Sequence, residues 1–243
     1  MLEYEGYRGP HGESVRAIDP CVFRKIVDRE VVAVIIIYVD DLLISTKEPK
    51  IMTNHKLKDV GNVGYYLVFH ITRDRKERKI KIDQHLYARS MAERFGITKT
   101  SMLPATAGNN TMIKNDGPKA SEEAEEMWAS LCREAVGVLI CAATITRPDI
   151  AHAVRITTKN CEDPGVAHKR AVVKILHYIL RSADLGITYG GQDCEVEMLA
   201  YTNSDYATCK DSRRSVSGGV VLLGGGAISW HTRAKEVATA GTT

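Results

Sequence analysis

The 243 residues are 44% hydrophobic and 26% charged, with a net charge of +3, the make-up of a globular chain with room for one large domain or two small ones. Six scattered cysteines form no CxxC pair and no Cys/His cluster at zinc spacing, which argues against a zinc site and for a reduced intracellular setting, cytoplasmic or nuclear. The longest apolar run, Val31 to Val39, is too short to span a bilayer, and no signal or transit segment opens the sequence, so neither a membrane partner nor secretion is expected.

Residues 1–18 are polar and without a clean period. Cys21 to Val27 and Val31 to Val39 are rich in Val, Ile and Phe around Asp28-Arg29-Glu30, which predicts two antiparallel strands. Leu42 to Ser45 resumes the apolar pattern directly after Asp40-Asp41, so the two aspartates are expected at the tip of a tight hairpin. Glu48 to Val60 reads as a short helix with Pro49 in its first turn. Tyr65 to Thr72 and Lys79 to Ile82 predict a second hairpin across the charged loop Arg73 to Arg78. A helix over Gln84 to Phe95 stops at Gly96. The Pro, Gly and Asn residues of 98–121 mark a linker. Beyond it, Trp128, Leu131, Ala135, Leu139 and Ala142 repeat at helical spacing. Pro148 opens a second helix, with Asp149 near its positive end. Asp163-Pro164 opens a third, lined by Ala171, Ile175, Leu176 and Ile179. Short strands follow at Gly186 to Tyr189, Glu195 to Thr202, Val216 to Leu223 and Ala227 to His231, the last two joined through Gly224-Gly225-Gly226.

Charge is segregated along this order. His70 to Thr100 carries nine Lys/Arg against four Asp/Glu, and Arg147 to Ser182 seven against three, while Asp116 to Glu126 holds five acids and one lysine. Basic segments of this kind suit a polyanion partner, and equally form solvated faces. The sharpest chemical feature is Tyr38-Val39-Asp40-Asp41. Burying two unpaired carboxylates costs several kcal/mol each, so they belong at a solvated turn, either as a plain Asp turn or as hard oxygen ligands for Mg2+. His152, His168 and His177 fall on separate turns, and helix-face or core roles suit them better than metal binding. Trp128 and Trp230 read as core anchors.

An apolar strand followed by Tyr38-Val39-Asp40-Asp41 and Leu42-Leu43-Ile44 resembles the catalytic hairpin of reverse transcriptases of the copia-type retrotransposon family. The similarity continues in order. Leu57-Lys58-Asp59-Val60-Gly61 and Tyr66-Leu67-Val68-Phe69-His70-Ile71 are similar to the primer-grip region. Arg133-Glu134-Ala135-Val136-Gly137, Thr146-Arg147-Pro148-Asp149-Ile150-Ala151 and Ala183 to Tyr189 follow. Asp211 to Gly218 and Ala227-Ile228-Ser229-Trp230 resemble the start of the family's RNase H domain.

The resemblance implies an α+β fold in four parts. These are the second half of a palm with both hairpins (1–97), a linker (98–126), a three-helix thumb or connection (127–185) and an incomplete mixed sheet of RNase H type (186–243). It implies that Asp40 and Asp41 are the catalytic, Mg2+-binding pair for two-metal nucleotidyl transfer from dNTP. Tyr38 would touch the RNA/DNA primer–template duplex, with Arg73, Arg75, Lys76, Arg78 and Lys79 as phosphate contacts or as an ordinary solvated turn. Three departures accompany it. The family's further metal-binding aspartate lies upstream, and of the residues before Tyr38 only Asp19 and Asp28 are aspartates, neither in a suitable strand. The polymerase role is therefore expected to need a missing N-terminal half. Val68 stands where the family's primer grip has glycine. Asn203 takes the place of the first RNase H aspartate, with Asp205 at a less central position, and the sequence ends at Val237 to Thr243, so no RNase H activity is expected. The rival readings are a non-catalytic retroelement remnant that binds nucleic acid weakly, and an unrelated α+β module with a chance Asp-Asp turn.

Overall fold

A computed structural model describes residues 7–8, 19–47, 58, 60–98, 132–158, 161, 165–205 and 214–235. The fold is α+β, with three antiparallel sheets and four α-helices among these residues. It divides into two compact units, Met1–Tyr66 and Leu67–Thr243.

In the first unit Tyr7–Arg8 (β1), Val22–Val27 (β2), Glu30–Tyr38 (β3) and Asp41–Thr46 (β4) form a sheet in that order. Both hairpins close through two-residue turns. Asp28 and Arg29 take φ values of 49° and 67°, the left-handed pair that matches the twist of the flanking strands. Val39 and Asp40 turn β3 into β4, with Tyr38 paired to Asp41. Central β3 buries Ala33 and Ile35, with Phe23, Ile37 and Ile44 packed around them. Its Val/Ile run is what a strand flanked on both edges favours. The three predicted strands agree with the observed ones to within a residue at each end. Tyr65–Tyr66 (β5) is a short strand. The predicted helix over 48–60 lies almost wholly outside the described residues; Lys58 and Val60 are coil.

In the second unit Phe69–Asp74 (β6), Lys79–Asp83 (β7) and Gly186–Gly190 (β8) pair antiparallel with β7 central. The strand predicted over 65–72 is interrupted at Leu67-Val68, where Leu67 adopts φ 56°. No Gly, Asn or Pro announces that turn. His85–Arg94 (α1) ends as the sequence predicts. Gly96 sits at φ 69°, its N–H donates to the Glu93 carbonyl at 3.0 Å, and Ile97 N–H donates to Ala92 at 2.7 Å, the two bonds of a Schellman cap.

Cys132–Ile145 (α2), a 3-10 turn at Pro148–Ile150, Ala151–Thr158 (α3) and Val166–Arg181 (α4) complete the helices. Of the predicted stripes, Ala135, Leu139 and Ala142 on α2 and Ile175, Leu176 and Ile179 on α4 are buried, joined by Met91 of α1 in one core, while Ala171 is only half-buried. Trp128, Leu131, Asp163, Pro164 and most of the predicted linker lie outside the described residues. Among those described, no helix is long and apolar enough to cross a membrane.

Met198–Asp205 (β9), Val216–Leu223 (β10) and Gly226–Ala234 (β11) form the third sheet, in the order β11-β10-β9. Every pairing here is antiparallel, where the resemblance implied a mixed sheet. Gly224 and Gly225, at φ 55° and 78°, make the turn between β10 and β11. Trp230 Nε1–H donates to the Ala143 carbonyl at 2.7 Å, satisfying one of the last-turn oxygens that α2 cannot pair internally. Tyr189 O–H donates to Ala227 at 2.7 Å. A Cβ at Gly226 would come within 2.4 Å of the Tyr189 ring, so that approach requires glycine.

Candidate functional site

The tip of the β3–β4 hairpin is solvated. Asp40 and Asp41 are both exposed, Tyr38 is 55% and Val39 82% exposed. Val39 holds φ 52°, a position where this kind of turn normally takes glycine. A β-branched residue there carries about 1–3 kcal/mol of backbone strain. The register, Tyr38 opposite Asp41, is what sets where Asp40 and Asp41 stand on the hairpin. Among the described residues, no third His, Cys, Asp or Glu lies within ligand reach of the pair. The donor set still fits Mg2+, which takes one or two carboxylates and completes its shell with water or substrate phosphate oxygens. Held there, the ion would supply charge to oxygens of a phosphoryl group.

Sequence reasoning missed Tyr66 as a neighbour of this tip. Its hydroxyl is buried and has no hydrogen-bond partner among the described residues. Burial, with the charge of Asp41 second, pushes its pKa up, so the phenol stays protonated beside the carboxylate. Asp28 sits in the β2–β3 turn, at the far end of β3 from Asp40, about 25–30 Å away along the strand. Asp19 is spent locally, its Oδ1 accepting Cys21 N–H at 2.8 Å.

The basic candidates lie on the β6–β7 turn of the second unit. Asp74 organises it by accepting the N–H groups of Lys76 at 2.9 Å and Glu77 at 3.0 Å, and Arg78 closes it at φ 54°. Arg73, Arg75, Lys76, Arg78 and Lys79 are all exposed. Lys79 Nζ lies 3.6 Å from Glu77, and Glu77 also accepts Gln192 Nε2–H at 3.2 Å. The turn is a compact cationic knob of five basic residues with two acids, Asp74 and Glu77, inside it.

The chain is 32% identical over 93% of its length to the retrovirus-related Pol polyprotein from transposon TNT 1-94 of Nicotiana tabacum. The chain belongs to the copia-type retrotransposon Pol family. The Pol polyprotein from transposon RE1 of Arabidopsis thaliana is 27% identical over 83% of the chain. An uncharacterized mitochondrial protein of Arabidopsis thaliana is 25% identical over 86% of the chain and 86% of its own length. The chain spans only 18% of the tobacco polyprotein and 14% of the RE1 polyprotein. No family model and no solved structure matches it.

Within this Pol chain, another motif of the resemblance proves to be an architectural joint. Thr146 Oγ1–H donates to Gln84 Oε1 at 2.7 Å, both residues buried. Arg147, 4% exposed, grips Asp149 with two bonds of 2.9 and 2.7 Å and donates to the Ser182 carbonyl and hydroxyl at 3.1 and 2.7 Å. Tyr178 O–H adds a bond to Asp149 at 2.9 Å. Burial would raise the Asp149 carboxyl, but the Arg147 guanidinium and the Tyr178 hydroxyl outweigh it and hold the pKa below the ordinary value. The role predicted for Asp149, a charge at a helix start, misses these two partners, Arg147 and Tyr178.

Asn203 and Asp205 lie on exposed β9, paired with Gly218 and Val216. Asn203 Oδ1 accepts Ser204 N–H at 2.9 Å. Asp205 is close enough to α3 that its charge opposes the lowering of the His152 pKa by burial and Arg155. His168 is a buried cap, its Nδ1 accepting Gly165 N–H at 3.0 Å, in line with the core role predicted for it.

Proposed function

We propose that this Pol segment carries the catalytic hairpin of a copia-type reverse transcriptase, with Asp40 and Asp41 as its Mg2+-binding carboxylates and Tyr38 beside the primer–template end. The observation that carries this reading is the solvated, backbone-strained acidic tip of β3–β4. A tip that folding does not need is consistent with one reserved for a ligand. In the same reading Phe69 to Asp83 is the primer-grip hairpin, α2 to α4 are the thumb or connection, and β9 to β11 begin an RNase H-like sheet. Arg73, Arg75, Lys76, Arg78 and Lys79 contact duplex phosphates. Asn203 offers shape without the charge that a nuclease metal needs, so no RNase H activity accompanies it.

Two carboxylates from one hairpin do not clamp both ions of a two-metal centre. The 243-residue chain alone is therefore expected to bind an RNA/DNA duplex and add no nucleotide. Joined to the preceding Pol segment, it should extend a primer with dNTP and Mg2+, and Asp40→Asn should abolish extension. Extension unaffected by Asp40→Asn would sink the assignment. Duplex binding should weaken steeply with salt, and neutralising Arg73, Arg75 and Arg78 together should flatten that slope by about two to three. Binding without salt dependence would favour a chain that makes no phosphate contacts.

A further inference from the structure

His70 is the second residue of β6, Asp83 the last of β7 and His85 the first of α1. Cross-strand register sets His70 opposite Asp83, and the strand-to-helix junction brings His85 back onto the same carboxylate. His70 Nδ1 lies 3.2 Å from Asp83 Oδ2 and His85 Nδ1 2.6 Å from Asp83 Oδ1. The two rings meet edge to face with centroids 4.6 Å apart. Among the described residues this is the one group of three metal-ligating side chains, each offering an atom within 4.8 Å of the others. Asp83 is 3% exposed, and the imidazoles cover it from solvent.

The geometry points to a Zn2+ site in which His70 Nδ1, His85 Nδ1 and one Asp83 oxygen are three ligands and water the fourth. Two imidazoles and a carboxylate suit Zn2+ and disfavour Mg2+, which prefers oxygen. Zinc bonds of 2.0–2.2 Å place tetrahedral ligands about 3.3 Å apart. The 3.2 Å from His70 Nδ1 to Asp83 Oδ2 already matches, so with Oδ2 as the bonded oxygen His85 gives up its contact with Oδ1 and turns toward the ion. In the metal-free state each Nδ1–H donates to the ionised carboxylate, which can only accept. On binding, that proton passes through solvent to Nε2 and frees the Nδ1 lone pair, with no net change in protonation. Lys81 Nζ stands 3.5 Å from Asp83 Oδ2 and is drawn away by the Asp184 carbonyl at 2.6 Å; its charge is the feature that holds affinity down. A bound ion would rivet the β6–β7 hairpin to the start of α1, independently of any ion at Asp40 and Asp41.

The test is a thermal melt of the full chain with ZnCl2 or MgCl2, paired with Co2+ absorption as a report of tetrahedral ligands. Zn2+ at a hundredfold excess over its Kd should raise the midpoint by roughly 5–10 °C, and Mg2+ should not. His70→Gln and His85→Gln, which keep a donor toward Asp83, should melt like the parent without metal and lose the Zn2+ shift and the Co2+ bands. His231→Gln should retain both, and Lys81→Met should tighten binding. No Zn2+ shift in the parent chain, or a shift retained in both His70→Gln and His85→Gln, overturns the site.

Discussion

Two acidic motifs of this Pol chain stand in opposite surroundings. At the β3–β4 tip, Asp40 and Asp41 are open to water on a strained turn. At the junction of α2 and α3, Asp149 is met by Arg147 and Tyr178 and tied through Arg147 to the end of α4. The difference separates two uses of a carboxylate. One surrounded by protein donors is consumed in holding the fold, while one that meets none among the described residues is available to a ligand. Both motifs contributed to the same family resemblance, so resemblance alone does not sort site from scaffold. Burial and partners do.

The strongest challenge to this contrast is Arg147→Met. It leaves Asp149 and the Ser182 oxygens without their main donor, and is expected to cost about 3 kcal/mol in urea unfolding, while Asp40→Asn leaves the midpoint unchanged. Equal effects would erase the distinction. Asp149→Asn sharpens it at smaller scale, about 1 kcal/mol at neutral pH. The folded pKa of Asp149 is lowered from 3.8, so its contribution is complete above that value and fades as the pH falls through the lower folded one. The gap between parent and variant melting midpoints should therefore close in acid; a gap independent of pH would mean the charge is not what Arg147 recognises. Val39→Gly has the least effect, a gain of up to about 1 kcal/mol, as relief of the left-handed valine is partly offset by a freer unfolded chain. A loss of stability there would show that the turn is not strained.

The local pattern told much of this in advance. The β-branched run ending in two acids placed the tip, Gly96 placed the end of α1, and the three-and-four spacing of Ala135, Leu139 and Ala142 placed the buried face of α2. These signals are local, and neighbours a few residues apart decide them. What stayed hidden depends on distant register. Leu67 turns left-handed inside an apolar run that reads as continuous strand. Asp149 owes its pKa to Arg147 and to Tyr178 on another helix. His70 meets Asp83 only because the hairpin pairs those two positions. The domain boundary drawn before Gly186 likewise meets a strand that is bonded back to β7.

That last pairing bears on how the polypeptide is made. β7 can join β6 as soon as their hairpin leaves the ribosome, but its other partner, β8, lies more than a hundred residues later, at Lys79 against Gly190. Closing so long a loop is slow. Until α4 has been synthesised and folded, the second edge of β7 presents unpaired backbone groups, an invitation to pairing between nascent chains. Translation of this Pol segment therefore passes through a window in which its aggregation risk is set by one short strand waiting for its neighbour.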